Sequence, residues 1–270
     1  MTRAASGRAV WLAGPRSFAS LHADELPQKD GLCGPFWVSL ALRSRGVSVV
    51  GGKGVDQDAV ALAAGSKLAE GDPRRWLPPG VASRADYQED LPVVDAAVSG
   101  TSVAGLVRAV EVLAPNALAA VAIAGPWTEH AVGAVFDIAS LDPLALLLAN
   151  VRTGGFAGSH PSPGALIAAA YGDCSGLPDP EWDVGHFVNP MLYVDGPNGA
   201  LVLVRDTYPS IGVRAHHWQP ANALSTALAR GDGREGGVLV LCAPDVRAGI
   251  EQRATDAGMR VATWDNGTPD

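Results

Sequence analysis

Three short segments contain residue types that together support nucleophilic catalysis. Cys33 lies just before a helical pattern, His186 precedes an apolar run of strand length, and Asp206 follows the next such run. The positive end of a helix dipole and a neighbouring imidazole both favour a thiolate. A carboxylate beside the imidazole orients the ring and stabilises its cationic form. The residues therefore predict a Cys-His-Asp site in which the sulfur of Cys33 is the nucleophile.

Further polar and small residues surround these three positions. Gln28 lies five residues before Cys33, where its side-chain NH2 can donate to an oxyanion together with the backbone N–H of Cys33. We predict that the substrate-binding residues are Gly31, Gly34, Trp37, Trp182 and Gly185. For Trp182, an equally good interpretation is an aromatic anchor that packs against the following hairpin.

Other cysteines and histidines compete for these roles. His130, in a polar segment, is the main alternative base, and Cys174 lies only twelve residues before His186. Cys242 lies within an apolar run and is predicted to be core. The adjacent His216 and His217 point apart on a strand and are interpreted as structural or surface residues. The last two histidines, His22 and His160, are expected in solvated loops. We expect no metal and no cofactor.

The elements that must position the site follow from apolar periodicity and turn signals. Strand-length runs at 187–194 and 201–205 flank a Pro-Asn-Gly turn and predict a β-hairpin, which would bring His186 and Asp206 to the same end. A helix is predicted at 35–45, directly after Cys33, and a loop at 72–80 is a candidate lid. The other predicted helices span 56–68, 101–113, 142–151, 163–171, 221–230 and 244–257, and the other predicted strands 118–124, 238–242 and 259–264.

Composition limits the class of protein. A chain of 270 residues that is 47% hydrophobic can bury a large core without disulfides or metals. Three cysteines leave one unpaired and indicate a reducing compartment, which we expect to be the cytoplasm. A net charge of -8 argues against nucleic acid as a partner. We expect neither a membrane span nor a signal-peptide core in the first 16 residues.

The order of these motifs resembles that of the papain-like cysteine peptidase superfamily. The segments that carry it are Gln28, Cys33-Gly34-Pro35, His186-Phe187-Val188 and Asp206 with Pro209. Within the superfamily they look most like peptidases of the bacteriocin-processing, double-glycine type. The resemblance implies Cys33 as nucleophile, His186 as general base and acid, Asp206 as orienting residue and Gln28 as oxyanion donor.

The resemblance also implies the fold. We expect a single α+β, papain-like domain over residues 1–270, with the catalytic Cys at a helix N-terminus and a C-terminal, mainly antiparallel sheet that carries His and Asp. Residues 46–180 would form a helical or loop-rich insertion or an N-terminal lobe, and residues 181–270 a β-rich lobe.

The expected function is a cysteine peptidase or amidase that acts on a peptide or small protein. Maturation of a ribosomally made precursor is a candidate role, by analogy only. Two alternatives stay open: an acyl transferase, transglutaminase-like enzyme or peptide cyclase with the same triad, and an inactive peptide-binding protein. The sequence leaves the oligomeric state open.

Overall fold

A computed structural model describes residues 7–270, and the first six residues of the segment in which we expect no signal-peptide core lie outside it. The described chain is α+β. Its helices are α1 Phe18–Glu25, α2 Cys33–Ser44, α3 Gln57–Ala64, α4 Val103–Leu113, α5 Glu129–Ala139, α6 Pro163–Ala170, α7 Ala221–Ala229 and α8 Arg247–Asp256. Its strands are β1 Ala9–Trp11, β2 Val49–Val50, β3 Lys53–Gly54, β4 Leu68–Ala69, β5 Val93–Val94, β6 Ala119–Ala124, β7 Leu146–Arg152, β8 Gly185–Asp195, β9 Ala200–Arg205, β10 His216–Pro220, β11 Gly237–Cys242 and β12 Arg260–Val261.

One antiparallel sheet organises the molecule. Its strand order is β10-β9-β8-β7-β11-β6-β12, and β1 pairs with the C-terminal half of β8. The predicted hairpin is confirmed, since β8 and β9 pair in antiparallel register up to Asp195 and Ala200. Two small pairs, β2 with β3 and β4 with β5, lie outside this sheet.

Both faces of the sheet are buried. In β6, Val121 and Ile123 face one hydrophobic cluster and Ala120 and Ala122 face the other. Helices α5, α7 and α8 contribute to the first cluster, and α2, α3 and α4 to the second. The sheet is therefore a middle layer between two helical layers, and α2 packs directly against it.

The segment predicted as a helix at 142–151 is instead mostly strand. Its residues Leu146–Arg152 form β7, and Asp142 lies in the turn before it. Successive residues of β7 point to opposite faces of the sheet, and both faces are buried: Leu147 belongs to the first cluster and Leu148 to the second. A strand buried on both faces is a continuous apolar run, which periodicity does not distinguish from a buried helix.

The expected division at residue 181 is not present in the sheet. Strands β6 and β7 come from the segment 46–180 that was expected to be helical or loop-rich, and they lie beside β8 and β11. The first hydrophobic cluster likewise contains residues from both parts of the chain. This follows from the strand order, because side chains on paired strands pack against each other. The expected final strand at 259–264 shrinks to the two residues of β12.

None of the described helices is long and apolar enough to cross a membrane.

Candidate active site

The nucleophile candidate, Cys33, is the first residue of α2 and is partly buried. The preceding Leu32 provides no side-chain cap, and Gly31 adopts φ +73, a left-handed conformation that glycine reaches without strain. The uncapped N–H groups of the first turn and the positive end of the helix dipole therefore lie at the sulfur.

The loop that leads to Cys33 is fixed by long-range contacts. The backbone N–H of Gln28 donates to the carbonyl of Thr207 at 3.2 Å, and that of Lys29 donates to Oε1 of Gln57 at 2.9 Å. The buried ammonium of Lys29 pairs with Asp58 of α3. These contacts restrict the position of the sulfur before any substrate binds.

His186 and Asp206 meet as the hairpin predicts. His186 is near the start of β8, Asp206 follows β9, and both are buried. Nε2 of His186 lies 3.3 Å from Oδ1 of Asp206, which also accepts the backbone N–H groups of Thr207 at 2.7 Å and Tyr208 at 3.1 Å. The ring nitrogen that remains is Nδ1.

The electrostatics of this pair favour a charged imidazole. Burial lowers the pKa of His186, but the carboxylate of Asp206 and the sulfur of Cys33 outweigh it and raise the pKa to about 10. Burial raises the pKa of Asp206, and the imidazolium and backbone N–H groups outweigh it and lower that pKa. His186 therefore carries a proton at neutral pH, and its ring lies next to the sulfur of Cys33.

Gln28 is oriented by a residue that the sequence analysis did not select. The hydroxyl of Thr207 donates to Oε1 of Gln28 at 2.6 Å and lies 3.4 Å from Nε2 of His186. With its carbonyl held in this way, the side-chain NH2 of Gln28 is left for another acceptor. Gln28 is buried but lines the same cleft as Cys33.

The cleft brings together most of the predicted site residues. Its volume is about 240 Å³, and it is lined by Gln28, Gly31, Cys33, Trp182, Gly185 and His186. Asp206 lies behind the ring of His186. The indole of Trp182 packs against that ring with centroids 4.9 Å apart, and its Nε1 donates to the carbonyl of Trp76 at 3.0 Å. The predicted loop at 72–80 thus contributes Trp76 to the cleft wall.

Two predicted substrate-binding residues lie in the core instead. Trp37 is fully buried, and its Nε1 donates to the carbonyl of Phe187 at 2.8 Å. A Cβ at Gly34 would lie 2.9 Å from the side chain of Leu106, so this glycine allows α2 and α4 to pack closely. They follow Cys33 in sequence, but the helix turns them into the protein interior.

The competing residues lie away from the cleft. His130 is exposed on α5, in the helical layer on the other side of the sheet. Cys174 lines a separate surface groove with Asn222, whose Nδ2 is 3.8 Å from the sulfur. Cys242 is buried in β11, and burial raises its pKa to about 11.

Two histidines that were not assigned to the site are buried behind it. His22, expected in a solvated loop, belongs to α1, and its Nε2 donates to the backbone carbonyl of Asp206 at 2.8 Å. Burial lowers the pKa values of His22 and His217 to about 4. His22 is thus a neutral donor to the Asp206 segment, whereas the ring of His217 packs edge-on against Phe156. The contact of His22 spans the 184 residues to Asp206, which local spacing does not reveal.

Within residues 7–270, no group of three or more His, Cys, Asp or Glu side chains is arranged to hold a metal ion. A search of curated proteins found no match. A family model does match residues 12–265, which include every residue of the candidate site. The chain belongs to a protein family of unknown function, DUF6885.

Proposed function

We propose that this protein is a cysteine hydrolase of papain-like type that cleaves an amide bond of a peptide or small protein. The observation that carries the proposal is the joint position of Cys33 and His186 in one cleft, with the buried carboxylate of Asp206 at 3.3 Å from the imidazole. This arrangement has the three parts that covalent catalysis by a thiol needs: a nucleophile, a proton carrier and a group that orients the carrier.

The architecture supports the papain-like assignment. Cys33 begins a helix that packs on an antiparallel sheet, and the neighbouring strand β8 carries His186. The indole of Trp37 joins α2 to the carbonyl of Phe187, which directly follows His186. The helix and the strand therefore hold sulfur and ring in a fixed relation.

The proposed reaction proceeds in two steps. The thiolate of Cys33 attacks the carbonyl carbon of the scissile amide, and a tetrahedral oxyanion forms. As the C–N bond breaks, imidazolium His186 gives its proton to the leaving amine, which leaves a thioester on Cys33. Neutral His186 then takes a proton from water as the water attacks the thioester, and the carboxylic acid and free Cys33 are released.

The oxyanion would be stabilised by two donors. One is the side-chain NH2 of Gln28, whose carbonyl is occupied by the hydroxyl of Thr207. The other is the backbone N–H of Cys33 at the uncapped start of α2. Donors fixed before the reaction stabilise developing charge without reorganisation.

We extend the proposal to the class of substrate and to the compartment in which the protein acts. Because the cleft is open to solvent, a segment of a longer peptide can enter it, and processing of a dedicated precursor peptide is the role we favour by analogy. All three cysteines are free, and a catalytic thiolate must stay reduced, so we place the activity in the cytoplasm.

The test is a digest of a peptide library by the full chain, analysed by mass spectrometry, with and without hydroxylamine as an acceptor. We expect new carboxyl termini from the wild type, hydroxamates when hydroxylamine is present, and neither product from Cys33→Ala. Cys174→Ala is the matched control and keeps full activity. Equal cleavage by wild type and Cys33→Ala would contradict the proposal, whereas transfer without hydrolysis would assign the same site to an acyl transferase.

A further inference from the structure

The cleft has a charge opposite to that of the whole chain. The protein has 28 acidic and 20 Lys or Arg residues. Within residues 7–270, no Asp or Glu lines the cleft, whereas four Lys or Arg residues do: Lys67, Arg152, Arg230 and Arg234. The cleft is thus positively charged in a chain of negative net charge, and solubility alone does not explain this difference.

Arg230 is the most deeply buried of these cations. Its side chain is only 1% exposed. Its Nε and Nη2 donate to Asp232 at 3.1 and 2.6 Å, and its Nη1 donates to Oδ1 of Asn150 at 3.3 Å. A guanidinium has five N–H groups, so these contacts leave two for another acceptor. Its φ of +50 is rare for a side-chain-bearing residue, and strain of this kind tends to occur at binding sites.

The neighbouring ion pairs do not cancel the positive charge. Arg152 pairs with Asp183 at 2.6 Å and lies 3.6 Å from Asp232. Arg234 donates to the backbone carbonyl of Ala97 at 2.6 Å. The three guanidinium groups and the two carboxylates leave one positive charge, to which the ammonium of Lys67 adds a second.

Two of these arginines, Arg152 and Arg230, lie beside the backbone of Gly185 and His186. Arg152 of β7 lies opposite Gly185 in the ladder with β8. A Cβ added to Gly185 would lie 3.4 Å from Nη2 of Arg230. The side-chain Nδ2 of Asn150 donates to the backbone carbonyl of His186 at 3.5 Å, so one amide joins Arg230 to the catalytic strand. Arg152 and Arg230 are therefore on the His186 side of the nucleophile, and Arg234 lines the same cleft.

We propose that Arg152, Arg230 and Arg234 form a carboxylate-binding subsite for the leaving group. The inference rests on the proposed function, in which His186 protonates the leaving nitrogen and the leaving group must lie on the His186 side. The residue after the scissile bond then carries a carboxylate, either the α-carboxylate of a terminal amino acid or the side chain of Asp or Glu. Guanidinium groups recognise carboxylates through paired N–H donors, and the glycine at 185 leaves room for the ligand.

The experiment uses bromoacetyl probes that alkylate Cys33 of the full chain. The sulfur displaces bromide from the probe, so that an S–C bond forms and the C–Br bond breaks. Bromoacetyl-glycine is compared with bromoacetyl-glycinamide, and bromoacetyl-aspartate α-amide with the asparagine analogue. The first pair presents an α-carboxylate and the second a side-chain carboxylate. Each rate is divided by the rate with 2-mercaptoethanol, and peptide mapping separates Cys33 from Cys174.

We expect the acid of at least one pair to label Cys33 about tenfold faster than its amide at low ionic strength, the size of a charged hydrogen-bond contribution. The preferred pair identifies the source of the carboxylate. The ratio falls toward one in Arg230→Gln and in Arg152→Gln, and stays unchanged in Arg16→Gln, an exposed control. Because Arg152 is partly exposed, its variant carries the test if Arg230→Gln does not fold.

Two results would overturn the subsite: a wild-type ratio near one for both pairs, or a preference that persists in Arg152→Gln. The absolute rate of the neutral probes is a separate readout. If Cys33 reacts with them no faster than 2-mercaptoethanol does, the proposed function fails, and the acid-to-amide ratio still decides whether carboxylates are recognised.

Discussion

At the scale of single residues, the site depends on how one carboxylate is shared. Oδ1 of Asp206 accepts two backbone N–H groups and lies 3.3 Å from His186. Residue types and spacing selected Cys33, His186, Asp206 and Gln28 as candidates, and the structure brings these four residues together. They did not reveal Thr207, because its contact with Gln28 spans 179 residues.

A pH profile tests the electrostatic role of Asp206. We expect kcat/KM for amide hydrolysis to fall as the pH rises through about 10, because His186 then loses the proton that the leaving amine needs. In Asp206→Asn the carboxylate that raises the pKa of His186 is gone, burial lowers that pKa, and the alkaline limb moves to lower pH. Asp24→Asn, an exposed control, keeps the wild-type profile. An unshifted limb in Asp206→Asn would show that Asp206 does not act on the ring.

The proposed role of Gln28 as oxyanion donor gives a second prediction at this scale. Gln28→Ala should lower kcat by about 10²–10³ with a smaller change in KM, because the lost donor acts mainly in the transition state. Thr207→Val should have a weaker effect, since it removes the hydroxyl that orients Gln28 but keeps the amide. Gln252→Ala on the surface of α8 is the control. A change in KM alone would assign Gln28 to substrate binding.

At the scale of elements, local sequence patterns predicted helices and strands best where neighbours in the sequence determine the structure. The β8–β9 hairpin and helices α2, α4, α6 and α7 were predicted close to their observed positions. Strand β7 and helix α5 were missed, since β7 is buried on both faces and α5 begins in a polar segment at Glu129. Tertiary contacts decide the structure of such segments.

The hydrogen bond that joins α2 to β8 leads to a stability prediction. Trp37→Phe removes the hydrogen bond from Nε1 to the carbonyl of Phe187 and leaves that buried carbonyl without its donor. The free energy of unfolding should fall by about 1–3 kcal/mol. Trp11→Phe, at a position that is 57% exposed, should change it little. Urea denaturation measures both, and equal effects would mean that the bond does not stabilise the joint.

At the scale of the whole molecule, the two halves of the chain share one sheet, which the resemblance did not predict. Asp142 illustrates the coupling: its carboxylate accepts from Arg45 at the end of α2 and from the backbone N–H of Ala243 after β11, both at 2.8 Å. Burial raises the pKa of Asp142, but these donors and the N–H of Leu144 outweigh it and lower the pKa.

This carboxylate gives stability a defined pH dependence. A group with a lowered folded-state pKa stabilises above its unfolded pKa, and the contribution is lost as the pH falls through the folded value. Asp142→Asn should therefore reduce the free energy of unfolding at neutral pH by about 1–3 kcal/mol, and the difference from wild type should shrink in acid. Asp137→Asn breaks a more exposed pair with Arg8 and should cost about 1 kcal/mol or less. A deficit in Asp142→Asn that does not change with pH would contradict the assignment.

The most direct test of the central claim is the rate at which iodoacetamide alkylates Cys33 relative to Cys174 in the same chain, at about pH 5.5, where an ordinary thiol is almost fully protonated. An ion pair between Cys33 and His186 predicts that Cys33 reacts at least about tenfold faster and that His186→Ala abolishes the difference. Equal rates at the two cysteines, or a fast Cys33 that persists in His186→Ala, would contradict an activated nucleophile at this site.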